Sequence, residues 1–366
     1  MKAPRRASAE TSRLTVDLGA IVANWQDLRA RHPAGAVAAV VKADAYGLGA
    51  RFVAPALYAA GCRHFFVAHL SEALAIQRYL PGALLGVLNG LAPDQAEIFA
   101  ANDLTAVLGS LAEIARWTAE ARRRGQRLPA LLHVDTGMNR LGLDSGELRR
   151  LADDPALLDG LDLRYVMTHL VASEVRNDPI NAAQQARFAA ACAALPAMPR
   201  SLANSSGIFL GPAFASDLAR PGAALYGLNP TPGQPNPMRP VVRLDCQVLQ
   251  VRQIAAGDSV GYNGTWRAAR DSRIATIPLG YADGWPRAMS NRGHAIFDGA
   301  PVPLVGRVSM DLTTYDVTDF PAIVPGRWLL VIGPGRTPDD IAADAGTNGY
   351  EVLTSVWTRY AREYLS

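Results

Sequence analysis

Lysine is almost missing from this 366-residue chain. Reading the sequence, two of its 36 basic residues are lysine, Lys2 and Lys42, and the rest are arginine. Cysteine is also scarce. Cys62, Cys192 and Cys246 are odd in number and far apart, which excludes a disulfide scaffold and argues against a zinc site. No apolar run approaches the roughly 20 residues of a membrane helix, so no membrane partner is expected. The opening MKAPRRASAETSR is basic but has no apolar stretch behind it, so no secretory signal is expected and the expected compartment is the cytoplasm. Charge of one sign is lacking too: a net +3 spread along the chain excludes a nucleic-acid footprint. With 49% hydrophobic residues, disorder is excluded as well.

What is present alternates. Strand-like apolar runs fall at 35–42, 64–68, 83–88, 104–108, 130–134, 163–168, 200–203 and 216–220. Helical patterns lie between them at 18–31, 48–60, 71–79, 111–124, 146–157 and 181–195. Eight strands over about 225 residues give roughly 28 per unit, the size of a βα unit in an eight-fold barrel. A doubly wound open sheet is the alternative, weakened because no GxGxxG follows an early strand. After the proline-rich TPGQPNPMRP (231–240) the texture changes to short β-branched segments at 241–251, 273–279, 295–297, 302–309 and 328–332. A capped helix is expected at Thr337-Pro338 and a final helix over 350–364. The expected fold is therefore α/β: a TIM-type (β/α)8 barrel over 12–237, then a mainly antiparallel β domain over 238–366, with residues 1–11 a tail against it.

Lys42 ends an apolar strand and is followed by ADAYGLGA. In a parallel barrel that end is the catalytic face. In a chain that uses arginine wherever a positive charge suffices, a lone interior lysine points to amine chemistry, since a guanidinium cannot lose its proton and attack a carbonyl. Asn204-Ser205-Ser206-Gly207 follows the seventh strand and Arg220-Pro221-Gly222-Ala223 the eighth, where barrels commonly hold phosphate. Taken singly each is an ordinary turn. Together with Lys42 they suit pyridoxal phosphate, which needs one imine-forming lysine and one phosphate cradle. Asp135 to Arg140 follows the fifth strand, and His169 ends the sixth.

VVKADAYGLGA, HVDTGMNRLG, MTHL, ANSSG, LARPGAALYG, VGYNGTW, PLGYADGWPR and VGRVSMD occur in the order seen in bacterial alanine racemases, and the chain resembles that family from about residue 12 onward. The resemblance implies pyridoxal 5'-phosphate held covalently on Lys42. It further implies Tyr46, Asn204, Ser205, Gly222, Ala223 and Tyr350 around the phosphate end, Arg220 on the pyridine nitrogen with His169 beside it, and Arg140 at the phenolic oxygen and the substrate. It also implies a head-to-tail homodimer in which Tyr262 of the partner is the second base and Met310 binds the substrate carboxylate. Tyr281 and Arg287 then line the approach channel. The implied activity is interconversion of L- and D-alanine, supplying D-alanine for peptidoglycan.

Two bases on opposite faces suffice for racemisation, because one proton leaves from one face and another returns on the other. Free lysine and tyrosine have pKa values near ~10, so each must be tuned to accept a proton near neutrality. A permanently charged arginine on the ring nitrogen donates a hydrogen bond without a proton, which restrains side reactions of a long-lived carbanion. The competing readings are a broader or serine-type racemase and a non-catalytic pyridoxal-phosphate carrier; the residues beyond 238 speak against the carrier. One departure from the family stands out. His133 occupies a position where many members have a carbamylated lysine, so Arg140, expected as a buried guanidinium, loses an anionic neighbour. Either His133 accepts directly through a neutral ring nitrogen, or a small anion such as chloride sits beside His133 and Arg140; the anion is the favoured expectation, against Arg140 leaning on Asp135 or water.

Overall fold

The computed structural model describes residues 10–356 and 359–366, so most of the expected tail, residues 1–9, lies outside the described residues. Seven parallel strands lie side by side in the order Ala39–Val40, His64–Val67, Leu84–Val87, Thr105–Leu108, Leu128–His133, Leu161–Met167 and Arg200–Ser201. The ring is completed by Leu218–Ala219, which pairs in parallel with Ala36–Val37. On its other side, Ser201 Oγ donates to the Leu218 carbonyl at 2.7 Å and Arg220 N–H to Ala203 O at 2.8 Å. This is the expected barrel. Its strands read as continuous apolar runs because both faces are covered, by helices outside and by Phe65, Phe66, Leu131 and their neighbours packed in the core.

Helices follow where their start signals stand. Ser110 caps Leu111–Arg124, which ends at the left-handed Gly125, and Asp144 caps Ser145–Asp153. The helix Leu18–Arg31 is pinned by Trp25, whose indole N–H donates to Val37 O. Each strand therefore delivers its C-terminal end to one common face.

The rest is antiparallel, with one exception. A six-stranded sheet runs Ala300–Pro303, His294–Phe297, Trp328–Ile332, Val242–Gln247, Ser12–Asp17 and Ala361–Leu365, beside a three-stranded one of Gln250–Ile254, Ser272–Ile277 and Thr313–Asp316. The expected barrel span begins at residue 12, but Ser12–Asp17 pairs antiparallel with Val242–Gln247 and parallel with Ala361–Leu365. The chain thus starts in the C-terminal sheet before entering the barrel. Two further expectations fail locally. The final helix covers only Gly349–Thr354, and Ala361–Leu365 is a strand because the free edge of Ser12–Asp17 offers it a full ladder. Trp357 and Thr358, within the expected helix, are outside the described residues. The expected strand over 302–309 stops at Pro303, which has no N–H to donate, and Gly306 at φ 78° turns the chain. Thr337 caps Pro338–Ala345 as expected.

Candidate active site

Lys42 follows the strand Ala39–Val40 at the C-terminal face of the barrel. The next four residues turn in the disfavoured sense: Ala43, Asp44, Ala45 and Tyr46 have φ of 52, 52, 55 and 55°. None is glycine, and each left-handed residue costs ~1–2 kcal/mol, so the surroundings must hold the turn. Glu72 Oε1 accepts from the Ala43 N–H at 2.6 Å, and Asp44 Oδ1 accepts from the Ala50 N–H at 2.7 Å. Arg362 donates to Gly47 O at 2.7 Å. A Cβ on Gly47, φ 81°, would lie 2.4 Å from the Leu353 carbonyl. Only glycine lets the helix Gly349–Thr354 approach this closely, and that helix brings Tyr350 over the site.

A cavity of about 270 Å³ opens between these elements. Lys42 is in its wall with Tyr46, His169, Asn204, Ser205, Arg220, Gly222, Ala223 and Tyr350. Strands far apart in sequence thus converge as the spacing implied. The Lys42 amine is held below its ordinary pKa, first by burial and then by Arg140, against an opposing effect of Glu72. That direction favours the nucleophilic free amine.

Part of the lining is a cradle of backbone and hydroxyl groups. Ser205 Oγ accepts from the Gly222 and Ala224 N–H groups at 3.0 and 3.2 Å. Two short 3₁₀ turns, Ser206–Phe209 and Ala223–Tyr226, begin here. A Cβ on Gly222 would sit 2.3 Å from the Tyr46 hydroxyl, so this glycine admits the phenol to the cradle. Burial pushes the Tyr46 phenol up, which keeps it a donor. Asn204 acts as a strut: its Oδ1 accepts from Ser173 Oγ and from the Gly207 N–H, each at 2.9 Å. The Tyr350 hydroxyl donates to Glu174 Oε1 at 2.7 Å, and burial followed by that carboxylate raises its pKa.

Arg220 lines the cavity, buried, with Nη1 donating to Ser201 Oγ and Nη2 to Thr168 O, both at 2.5 Å. Burial brings its pKa down to about 10, so it remains a cation at neutral pH. His169 is pushed down to about 3 by burial and then by Arg220, and His133 to about 4 for the same two leading reasons. Both imidazoles are therefore neutral. Arg140 departs from expectation, because its side chain is exposed rather than buried. Asp135 is committed elsewhere, accepting from the Gly137, Met138 and Asn139 N–H groups.

An amine with a lowered pKa, a fixed arginine donor and an anion cradle within one small cavity fit pyridoxal phosphate. The donor set is chemically right for its aldehyde, ring nitrogen and phosphate. The family descriptions "Alanine racemase, N-terminal domain" and "Alanine racemase, C-terminal domain" match residues 16–230 and 241–364. An alanine racemase of Acidiphilium cryptum is 60% identical over 349 residues, 95% of this chain and 97% of its own length. One from Methylobacterium nodulans is 52% identical, over 98% of this chain and 97% of its own. The crystal structure of alanine racemase from Bartonella henselae with covalently bound pyridoxal phosphate superposes with a TM-score of 0.94 at 42% identity, covering 97% of this chain and 99% of that one.

The chain belongs to the alanine racemase family. Its activity is that of an isomerase acting on alanine.

Three residues named for the alanine racemase reaction are not in the Lys42 cavity of this chain: the exposed Arg140, Tyr262 and Met310. Tyr262 is 68% exposed, at the start of the turn Tyr262–Gly264, and Met310 is 53% exposed. Tyr281 and Leu312 are exposed on the same C-terminal part of the chain. Sequence reasoning missed Thr354, Ser206 and Leu88 in the cavity wall, and Glu72 and Glu174 beside it. Ser206 had a signal in Asn204-Ser205-Ser206-Gly207. Glu72 had none, because its contact spans 29 residues of sequence.

Proposed function

We propose that this chain holds pyridoxal 5'-phosphate on Lys42 and interconverts L- and D-alanine by two bases, Lys42 and the Tyr262 of a second copy. The observation that carries the reading is that Lys42, the Ser205–Gly222–Ala223 cradle and Arg220 line one cavity. The bound cofactor would supply electron withdrawal that acidifies the substrate α-hydrogen. Lys42 would attach it, while Tyr46, Ser205, Gly222, Ala223 and Tyr350 would receive its phosphate.

Lys42 Nζ then moves the proton on its own face. Burial and Arg140 hold its pKa below the ordinary lysine value, which favours the free amine that can accept one. The other tyrosines of the cavity do not serve the opposite face well. Burial raises the Tyr46 and Tyr350 phenols, so both keep their protons. Tyr262 is solvent-facing in its own chain, which supports its action in a neighbour's site, with Met310 offering a backbone donor to the carboxylate. Exposed Tyr262, Tyr281, Met310 and Leu312 on one part, and Val171 and Val175 in the loop after the sixth strand, support a head-to-tail homodimer. Arg220 and neutral His169 would hold the ring end of the cofactor without donating a proton to it. The product suits a supply of D-alanine for peptidoglycan.

Turnover separates this reading from a broader racemase. L-Alanine is expected to be racemised at least about 10-fold more efficiently than L-serine, L-lysine or L-arginine, as a small site discriminates by about 1–3 kcal/mol per added group. Equal turnover of L-serine would sink the alanine assignment.

We also propose a small anion, chloride, near His133 and Arg140. Neutral His133 contributes no negative charge to offset Arg220 and Arg140, and Asp135 is occupied by three backbone donors. Replacing chloride by a bulky weakly coordinating anion at constant ionic strength should slow racemisation about threefold or more. An unchanged rate, with no halide density beside Arg140 in a bromide-soaked crystal, would remove the anion.

A further inference from the structure

We infer that Glu72 is the positioning residue of Lys42: its carboxylate fixes the left-handed turn Ala43–Tyr46 and thereby the direction in which the amine enters the cavity. The inference rests on the reading of Lys42 as the cofactor lysine. It begins with four consecutive non-glycine residues of positive φ immediately behind that lysine, a conformation that persists only when neighbours over-determine it.

Glu72 divides its two oxygens. Oε2 accepts from the Ala68 and His69 N–H groups at 2.8 and 2.9 Å, closing the start of its own helix Leu70–Ile76. Oε1 reaches out of that helix to the Ala43 N–H at 2.6 Å, the residue next to Lys42. A residue serving only as a helix cap would use the first pair alone. The second contact is an ionised acceptor on a backbone donor, the stronger kind of hydrogen bond, placed where the turn begins. Asp44 and Arg362 hold the far end of the same turn through Ala50 and Gly47. Glu72 therefore supplies the anchor nearest the amine. Its charge acts in the same place: among the groups that influence Lys42, Arg140 disfavours the protonated amine and Glu72 favours it.

The side chain's two contributions separate by substitution. Glu72→Gln keeps the length and loses the charge. Glu72→Asp keeps the charge but retreats by one methylene, too short to reach Ala43. Glu72→Ala loses both. Each full-length protein, as purified with its cofactor, is measured in two ways. Hydrogen–deuterium exchange of the peptide 42–47 should quicken about tenfold or more in Glu72→Asp and Glu72→Ala. Exchange of 128–134 in the fifth strand is the internal control for folding and should not change. The pH midpoint of the cofactor's absorbance band should fall by about half a unit or more in Glu72→Gln, because losing a nearby negative charge disfavours the protonated form.

Unchanged exchange of 42–47 in Glu72→Asp and Glu72→Ala overturns the inference. So does an unmoved midpoint in Glu72→Gln, which would reduce Glu72 to a cap of its own helix. If Glu72→Ala disturbs 128–134, the aspartate and glutamine variants decide. A missing cofactor band in the unmodified protein would refute the reading of Lys42 itself, and the exchange of 42–47 would still decide the role of Glu72 in the turn.

Discussion

Lys42→Arg is expected to lower racemisation by at least about 10³-fold and to leave no covalently attached cofactor. Arginine keeps the positive charge and most of the volume, so the cradle and the barrel should survive. The substitution removes the one property that the site needs, a nitrogen able to exist without its proton. The amine at 42 sits partly buried with its pKa held down by burial and Arg140, whereas a guanidinium in the same place stays charged. Lys2 is the only other lysine in the chain and lies outside the described residues, so Lys42 is the only lysine among the described residues. Borohydride reduction followed by peptide mapping reads the result directly. A reduced cofactor–peptide adduct at any residue other than 42 in the unmodified protein would defeat the assignment, and so would a surviving absorbance band in the variant.

Tyr262→Phe is expected to cost about 10²- to 10⁴-fold, the usual worth of a positioned acid or base. The loss should be directional: exchange of the α-hydrogen of L-alanine with solvent deuterium should fall further than that of D-alanine. The variant also tests where the tyrosine acts. Lys42→Ala and Tyr262→Phe subunits are each expected to be strongly impaired alone. If Tyr262 completes a neighbour's site, each mixed dimer contains one intact site and one doubly damaged site. Random exchange of equal amounts should then restore about a quarter of the unmodified sites. If Tyr262 served its own chain, both sites of the mixed dimer would remain defective and nothing would return. Absence of recovered activity after verified subunit exchange therefore rejects the shared site, and equal loss of deuterium exchange from both isomers rejects the two-base scheme.

Much of the architecture and most of the cavity were legible before the fold. Parallel strands buried on both faces must be continuous apolar runs, and the runs from 35–42 to 216–220 mark the barrel strands to within a few residues. The scarcity of lysine singled out Lys42, and the phosphate-type turns placed Ser205, Arg220, Gly222 and Ala223 at strand ends that share one face by the geometry of a parallel barrel. These features are local, so a linear reading reaches them.

The remainder depends on which distant segments meet. Ala361–Leu365 has no intrinsic reason to be a strand; it becomes one because the edge of Ser12–Asp17 is free to pair, and that edge is available only once the chain's start has joined Val242–Gln247. Arg140 has the same composition of neighbours in sequence whether buried or exposed, and only the path of its loop puts it in solvent. Glu72 reads as an ordinary residue in the first turn of a helix, yet its second oxygen holds the Ala43 N–H. The sequence by itself determined the barrel, the lysine and the anion-binding turns, because periodicity, composition and turn chemistry act over a few residues. Only the tertiary structure decided how the left-handed turn behind Lys42 is held and that Tyr262 is exposed outside its own chain's cavity, because those outcomes depend on contacts between segments that the chain order keeps far apart.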